Sequence, residues 1–239
     1  MDTHSFTYVV HEERTLDAIV IDPILGGAQR EFLVAMGLNL KGILETHVHA
    51  DHLTGSQELK AIFPEALVCI GSRISEIQKN FDCESSGFDH LIADFEVKSF
   101  GSLEVKAIPT PGHTPSCMSF LIQDNLFTGD SLFMPDFGTG RCDFPGGSAE
   151  TLYRSITQNL YSLPDDTKVF VGHDYCPNGR ELAFQTTIGE SKKANKHVTD
   201  KTSESDFVTF RSGRDKTLQP PKDLEKNIAF NINAGKALL

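Results

Sequence analysis

Thr46-His47-Val48-His49-Ala50-Asp51-His52 places three imidazoles and a carboxylate within seven residues. Imidazole nitrogen and carboxylate oxygen are the borderline and hard donors that hold divalent zinc, iron or manganese. The cluster follows the apolar run Gly42-Ile43-Leu44, which reads as a buried strand. A turn leaving a strand end points alternate side chains the same way, so His47 and His49 share a side while Asp51 and His52 reach a neighbouring position. A solvated histidine-rich loop would not require Asp interleaved at this spacing behind an apolar strand, so the pattern predicts a metal-binding loop.

The elements that must position this loop are legible on either side of it. Residues 5–10 and 18–21 predict a hairpin around the polar turn His11-Glu12-Glu13-Arg14. Asp22-Pro23 ends its second strand, and Gly26-Gly27 leads into a helix over 29–38, with Phe32, Leu33 and Met36 at helical spacing. Residues 54–63 predict a helix stopped by Pro64; 66–70 predict a strand, 74–81 a short helix and 82–90 a polar connection. From 95 to 126 apolar and polar residues alternate, with turns at Gly101-Ser102 and Asp124-Asn125, as in an antiparallel sheet. Pro109-Thr110-Pro111-Gly112-His113-Thr114-Pro115 is too proline-rich for a central strand and predicts a rigid loop that presents His113. Thr128-Gly129-Asp130 taken alone is an ordinary hairpin turn. Residues 137–144, with Gly138, Gly140, Arg141 and Asp143, form a loop able to wrap a site, and Ser148 caps a helix through Leu163. A buried strand over 168–171 ends at Gly172-His173-Asp174-Tyr175. Residues 180–198 and 205–216 then predict polar amphipathic helices, followed by Pro220-Pro221 and a tail. Lacking a core of their own, residues 176–239 are expected to cap the 1–175 core within one domain.

Composition narrows the function classes. At 239 residues the chain suits one large α/β domain, which often runs to ~250 residues. No stretch approaches the ~18 consecutive apolar residues of a membrane span. A net charge of −11 excludes the basic stripe that a nucleic-acid surface needs, and an anionic substrate would require local cations. Met1-Asp2-Thr3-His4 carries no basic-then-apolar leader, and Glu12 and Glu13 do not suit a transit peptide, so a cytoplasmic protein is expected. Five scattered cysteines without a CxxC pair predict reduced thiols: Cys69 and Cys117 in the core, Cys142 and Cys176 beside the motifs. His4, His11, His90 and His197 lack ligand-like neighbours and are expected at the surface.

The seven-residue cluster resembles the HxHxDH signature of the metallo-β-lactamase superfamily, and Gly112-His113, Thr128-Gly129-Asp130 and Gly172-His173 resemble its later motifs. The resemblance covers most of the chain and implies an α/β fold, a four-layer αββα sandwich of two mixed sheets flanked by helices. Gly112-His113-Thr114-Pro115-Ser116-Cys117, Gly140-Arg141-Cys142-Asp143-Phe144 and His173-Asp174-Tyr175 further resemble the persulfide dioxygenases, and Gly179-Arg180-Glu181, expected on a helix, their bacterial branch. That implies one Fe(II) per chain on His47, His113 and Asp130, with His49, Asp51, His52 and His173 around it. It also implies oxidation of glutathione persulfide by O2 and water to sulfite and glutathione, in sulfide detoxification. Arg141, Arg180, Lys192 and Tyr175 are the candidates to hold the substrate. Arg141 can grip a carboxylate bidentately or brace the Asp143 loop, Arg180 and Lys192 can equally be solvated helix residues, and Tyr175 can hydrogen-bond or pack. No oligomeric state follows, and a homo-oligomer is allowed.

The same donors also resemble glyoxalase II, a thioester hydrolase, as does Thr187-Ile188-Gly189-Glu190. That resemblance implies two metals such as zinc: His47, His49 and His113 on one, Asp51, His52 and His173 on the other, with Asp130 bridging. A sensor that binds metal without turnover would not need an intact ligand set. The Arg141 loop, the His-Asp-Tyr motif and the short tail favour the dioxygenase.

Overall fold

Strand β3 (Asp17–Ile21) sets the layering, because its side chains divide between two interiors: Ile19 and Ile21 face the space between two sheets, Ala18 and Val20 the flanking helices. A strand buried on both faces must be apolar throughout, which is why residues 18–21 show no alternation. The computed structural model describes residues 4–79 and 87–236. One sheet has the order β2 (Tyr8–His11), β3, β4 (Asn39–Glu45), β5 (Leu67–Gly71), β6 (His90–Ile92), with β2 antiparallel to β3 and the rest parallel. The other sheet has six strands, in the order β13 (Gln185–Thr187), β11 (Lys168–Phe170), β10 (Asn125–Phe127), β9 (Met118–Ile122), β8 (Leu103–Pro109), β7 (Val97–Phe100). Its β10 and β11 run parallel and the other pairs antiparallel. A short pair, β1 (His4–Ser5) with β12 (His173–Asp174), ties the N-terminus to the last histidine motif.

Between the sheets Ile19, Ile21 and Leu44 meet Phe100, Val105 and Phe120. Outside the first sheet Leu33 of α1 (Gln29–Ala35) and Leu59 of α2 (Ser56–Ile62) cover Val20, Ile43 and Val68. Outside the second, Leu152 of α4 (Ala149–Arg154), Ile188 of α5 (Ile188–Ala194) and Phe207 of α6 (Glu204–Asp215) join Leu126 and Val169. The result is the four-layer αββα sandwich of two mixed sheets. A short α3 (Ile74–Gln78) and α7 (Leu224–Asn231) complete the described helices. Among the described residues no helix is long and apolar enough to cross a membrane.

Several local expectations meet different outcomes. Ser148 caps α4 as expected, with φ −155° and its Oγ accepting from Thr151 N at 3.1 Å. Beyond Arg154 the helix widens into a π-helical stretch, Ser155–Leu160. From it Ser155 Oγ donates to Pro111 O (2.7 Å) and Asn159 Nδ2 to Pro109 O (2.8 Å), so the π segment holds the proline loop. In α1 the buried stripe runs through Gln29 and Leu33, one turn apart, leaving Phe32 and Met36 42% and 51% exposed. The helix expected to start at Arg180 forms only from Ile188. Residues 185–187 pair with β11 instead, and Thr187 then caps α5. Where a tail was expected after Pro220-Pro221, α7 forms. The end of the 74–81 helix, most of the 82–90 connection and Cys83 lie outside the described residues.

Candidate metal centre and its cavity

The loop leaving β4 is held from below by one carboxylate. Asp22, at the end of β3 with φ 50°, accepts from Thr46 N (2.7 Å) and Thr46 Oγ1 (2.8 Å). Thr46 Oγ1 has thereby spent its proton, so at 3.0 Å it accepts from His47 Nδ1, which leaves the Nε2 lone pair of His47 for a metal. His113 is oriented in the same way: its Nδ1 donates to Arg141 O at 2.7 Å. The proline loop that carries it has a close-approach point at Gly112 (φ 141°), where a Cβ would lie 2.4 Å from the Leu152 backbone. Burial lowers both His47 and His113, keeping the imidazoles neutral and able to ligate.

His47, His113 and Asp130 gather with donor atoms within 4.8 Å of one another, and His113 Nε2 lies 3.6 Å from Asp130 Oδ2. Asp130 Oδ1 is buried without a hydrogen-bond partner, 3.4 Å from His173 Nε2. A buried carboxylate oxygen left unpaired is costly unless a cation meets it, so this donor set fits a divalent ion. The other expected donors are drawn into different company. His49 Nε2 points at Asp22 Oδ1 (3.1 Å) and Glu45 Oε2 (3.3 Å). Burial opposes its charged form, but Asp22 and Glu45 outweigh that and hold His49 well above its ordinary value. Asp51 Oδ2 accepts from Ser5 Oγ (2.9 Å) and lies 3.1 Å from His52 Nδ1. Burial disfavours the Asp51 carboxylate, yet His52 and His173 keep it far below the usual range. Asp51 and His52 gather with His49, and Asp51 Oδ2 lies 3.6 Å from His173 Nε2.

A cavity of about 560 Å³ opens over His47, His113 and Asp130. Phe133, Phe137, Phe144 and Tyr175 wall it, with Phe137 and Tyr175 stacked at 4.1 Å. Of the expected substrate residues, Arg141 and Tyr175 line it. The guanidinium fork of Arg141 is already taken, by Asp143 (2.6 Å twice), with a further bond to Gln219 O (2.8 Å), so its geometry is that of a brace. Arg180 and Lys192 are not brought to the cavity. Arg180 spans Asp136 and Asp174, whose pull raises it far above its ordinary value, and Lys192 donates to Asp165 Oδ1 at 2.6 Å. A cation near a carboxylate at hydrogen-bond distance is no longer free for an anionic ligand. Cys142 and Cys176 do not line the cavity either. Besides Arg141, the cations that do are Lys196, Arg211 and Arg214, joined by His197, which is half-buried rather than at the surface.

Two supports were not anticipated from sequence. Asn231 of α7 donates to His49 O and His52 O (2.7 Å each) and accepts from Thr54 N (2.9 Å), while Asn227 donates to Ala50 O (2.9 Å). Asparagines four apart share a helix face and are poor helix formers, which is the signal that could have marked them. Asn231→Ala strands three buried polar groups. It is expected to destabilise the protein by about 1–3 kcal/mol and to weaken metal retention ~10–100-fold. Urea unfolding and metal titration check this, and wild-type behaviour in both would remove α7 as a support of the loop.

Comparison with known proteins places these residues in a wider setting. The model of the metallo-beta-lactamase superfamily matches residues 2–173. Glyoxylase B2 of Dictyostelium discoideum is 40% identical over 95% of this chain and 86% of its own length. The mitochondrial persulfide dioxygenase ETHE1 of Homo sapiens is 32% identical over 97% of this chain and 84% of its own. The crystal structure of ETHE1 from Myxococcus xanthus superposes with a TM-score of 0.84 at 32% identity, covering 97% of this chain and 95% of that one.

Proposed function

Because the chain belongs to the metallo-β-lactamase superfamily and is related to persulfide dioxygenases along nearly its whole length, we propose that it is an iron-dependent persulfide dioxygenase of the cytoplasm. It would oxidise glutathione persulfide, or a similar low-molecular-weight persulfide, in sulfide detoxification. The observation that carries this reading is the grouping of donors: His47, His113 and Asp130 form one triplet, whereas Asp51 and His52 form theirs with His49, a ring already turned toward Asp22 and Glu45.

His47, His113 and Asp130 would hold one iron(II), a two-histidine, one-carboxylate set that leaves positions open. Bound there, iron supplies the electron exchange with O2 that zinc cannot. In the overall reaction the terminal persulfide sulfur gains two oxygen atoms from O2 and one from water, the S–S bond breaks, and sulfite, thiol and two protons are released. The chain's own groups position and shield. The Arg141 carbonyl fixes the His113 ring, and Phe133, Phe137 and Phe144 keep bulk water from the reacting sulfur. Although Tyr175 is 38% exposed, desolvation of its hydroxyl and the nearby Asp130 and Asp51 charges push it above its ordinary range, so it stays a phenol able to donate to the substrate.

A second reading, a glyoxalase II-like thioester hydrolase, is favoured by the 40% identity to Glyoxylase B2 and by the presence of every second-site donor. An oxygen electrode and a thioester assay on one iron-loaded sample separate the two. Oxygen uptake on glutathione persulfide, one iron per chain and little cleavage of S-lactoylglutathione are expected. Thioester cleavage without oxygen uptake, or two tightly held zinc ions per chain, would replace the dioxygenase with the hydrolase.

A further inference from the structure

Besides the imidazoles gathered around Asp130, the cavity is lined by one more, His197. Its placement is over-determined by the backbone. Asn195 Nδ2 donates to Gly138 O (3.1 Å), Asn195 Oδ1 accepts from the N–H of His197 (2.9 Å) and of Val198 (3.1 Å), and Lys196 N donates to Pro135 O (2.8 Å). The turn 195–198 is thereby pinned onto the loop 135–139. On the ring, Nδ1 lies 3.0 Å from Thr139 N. A main-chain N–H can only donate, so Nδ1 holds the lone pair and the proton of the neutral ring sits on Nε2. The Nδ1, Cγ and Cε1 edge lies against Gly138 (φ 107°), where an added Cβ would come within 2.2, 2.4 and 2.6 Å of those atoms. Phe210 covers the ring at 4.6 Å. The remaining edge of the ring, on a residue that lines the cavity, carries Nε2–H, and no described residue accepts from it. Protonation does not disturb the arrangement: burial, then the charges of Arg211, Lys196 and Arg214, lowers His197 to about 3.

We propose that His197 is a specificity-determining residue whose Nε2–H donates to a carbonyl or carboxylate oxygen on the peptide portion of the thiol carrier. This rests on the reading of the cavity as a glutathione persulfide site and adds to it a residue that reads the peptide portion of the carrier. A cavity of about 560 Å³ is sized for a tripeptide rather than for hydrosulfide. His47, His113, Asp130 and His197 line one cavity, so a carrier bound by its sulfur at the metal donors has its peptide portion in the space that His197 also borders. Lys196 and Arg214 attract carboxylates from many directions, whereas a single fixed N–H donates only to an oxygen lying along its axis.

Calorimetric titration of glutathione into iron-loaded wild type, His197→Asn and His197→Gln tests this. Asn keeps an acceptor for Thr139 N but its shorter amide places no donor at the Nε2 position; Gln restores an amide donor near that position. Glutathione affinity is expected to fall about tenfold in His197→Asn, with iron content and urea midpoint unchanged, and to recover in His197→Gln. Wild-type affinity in His197→Asn would overturn the inference and leave the persulfide reading standing. Equal loss in both variants with a lowered urea midpoint would make His197 a structural residue and also overturn it. Failure of the wild type to bind glutathione would overturn both the inference and the peptide-thiol carrier.

Discussion

His113→Ala is expected to lose its metal and its turnover together. The ring stands at the meeting point of two constraints, Nδ1 on Arg141 O at 2.7 Å and Nε2 facing Asp130 Oδ2 at 3.6 Å. Removing a supporting hydrogen bond to a metal ligand costs ~10–100-fold in affinity, and removing the ligand itself must cost more. The remaining pair, His47 and Asp130, cannot define a face of the coordination sphere, so any residual ion would be held loosely and in the wrong geometry. His90→Ala is the control: His90 pairs with Glu96 at 2.7 Å, outside the cavity, and its loss should leave iron content and oxygen uptake intact. Elemental analysis and an oxygen electrode on both variants decide the matter. A metal-loaded, active His113→Ala protein would sink the ligand assignment.

Asp215→Ala is expected to produce the largest loss of stability, about 3–5 kcal/mol. Asp215 is 5% exposed and accepts from Arg211 Nε (2.9 Å) and Nη2 (2.5 Å) through Oδ1, and from Cys142 N (2.8 Å) through Oδ2. Arg211, 3% exposed, also donates to Thr139 O at 3.2 Å. Truncating the acid leaves a nearly buried guanidinium at the cavity wall without its carboxylate, and the attraction between the two does not survive to offset its desolvation. The loop 139–142 loses its anchor at the same time. With a urea slope of ~2–3 kcal/mol/M for a chain of this size, the unfolding midpoint should fall by about 1–2.5 M. Asp215→Asn keeps an acceptor but not the charge and should fall between the two. A shift under ~1 kcal/mol would mean that solvent reaches Arg211 and that the pair behaves as a surface ion pair.

Sheet architecture was legible wherever burial leaves a local mark. Residues 18–21 and 43–44 are apolar without interruption because both faces of those strands are covered, and Ser148 announces a helix because its hydroxyl can take the place of a missing backbone acceptor. The stretch 180–187 misled because its helix-compatible composition is overridden by partners distant in sequence: Arg180 is held by Asp136, and Thr186 pairs with Val169. Propensity is a weak prior where tertiary contacts compete.

The donor types of the metal centre were determined by sequence alone, since imidazole and carboxylate at HxHxDH spacing have little other use behind a buried strand. Which cations remain available to a substrate was decided only by the tertiary structure. Arg141, Arg180 and Lys192 look alike in sequence to Lys196 and Arg214, but folding brings Asp143, Asp136 with Asp174, and Asp165 to the first three. The same holds for His49, turned toward Asp22 and Glu45, and for His197, given its direction by Thr139 N. A ligand's chemistry belongs to the residue and is written in the chain. Its availability depends on the nearest opposite charge or hydrogen-bond partner, which is two residues along the chain for Arg141 but is chosen by long-range packing for Lys192 and His197.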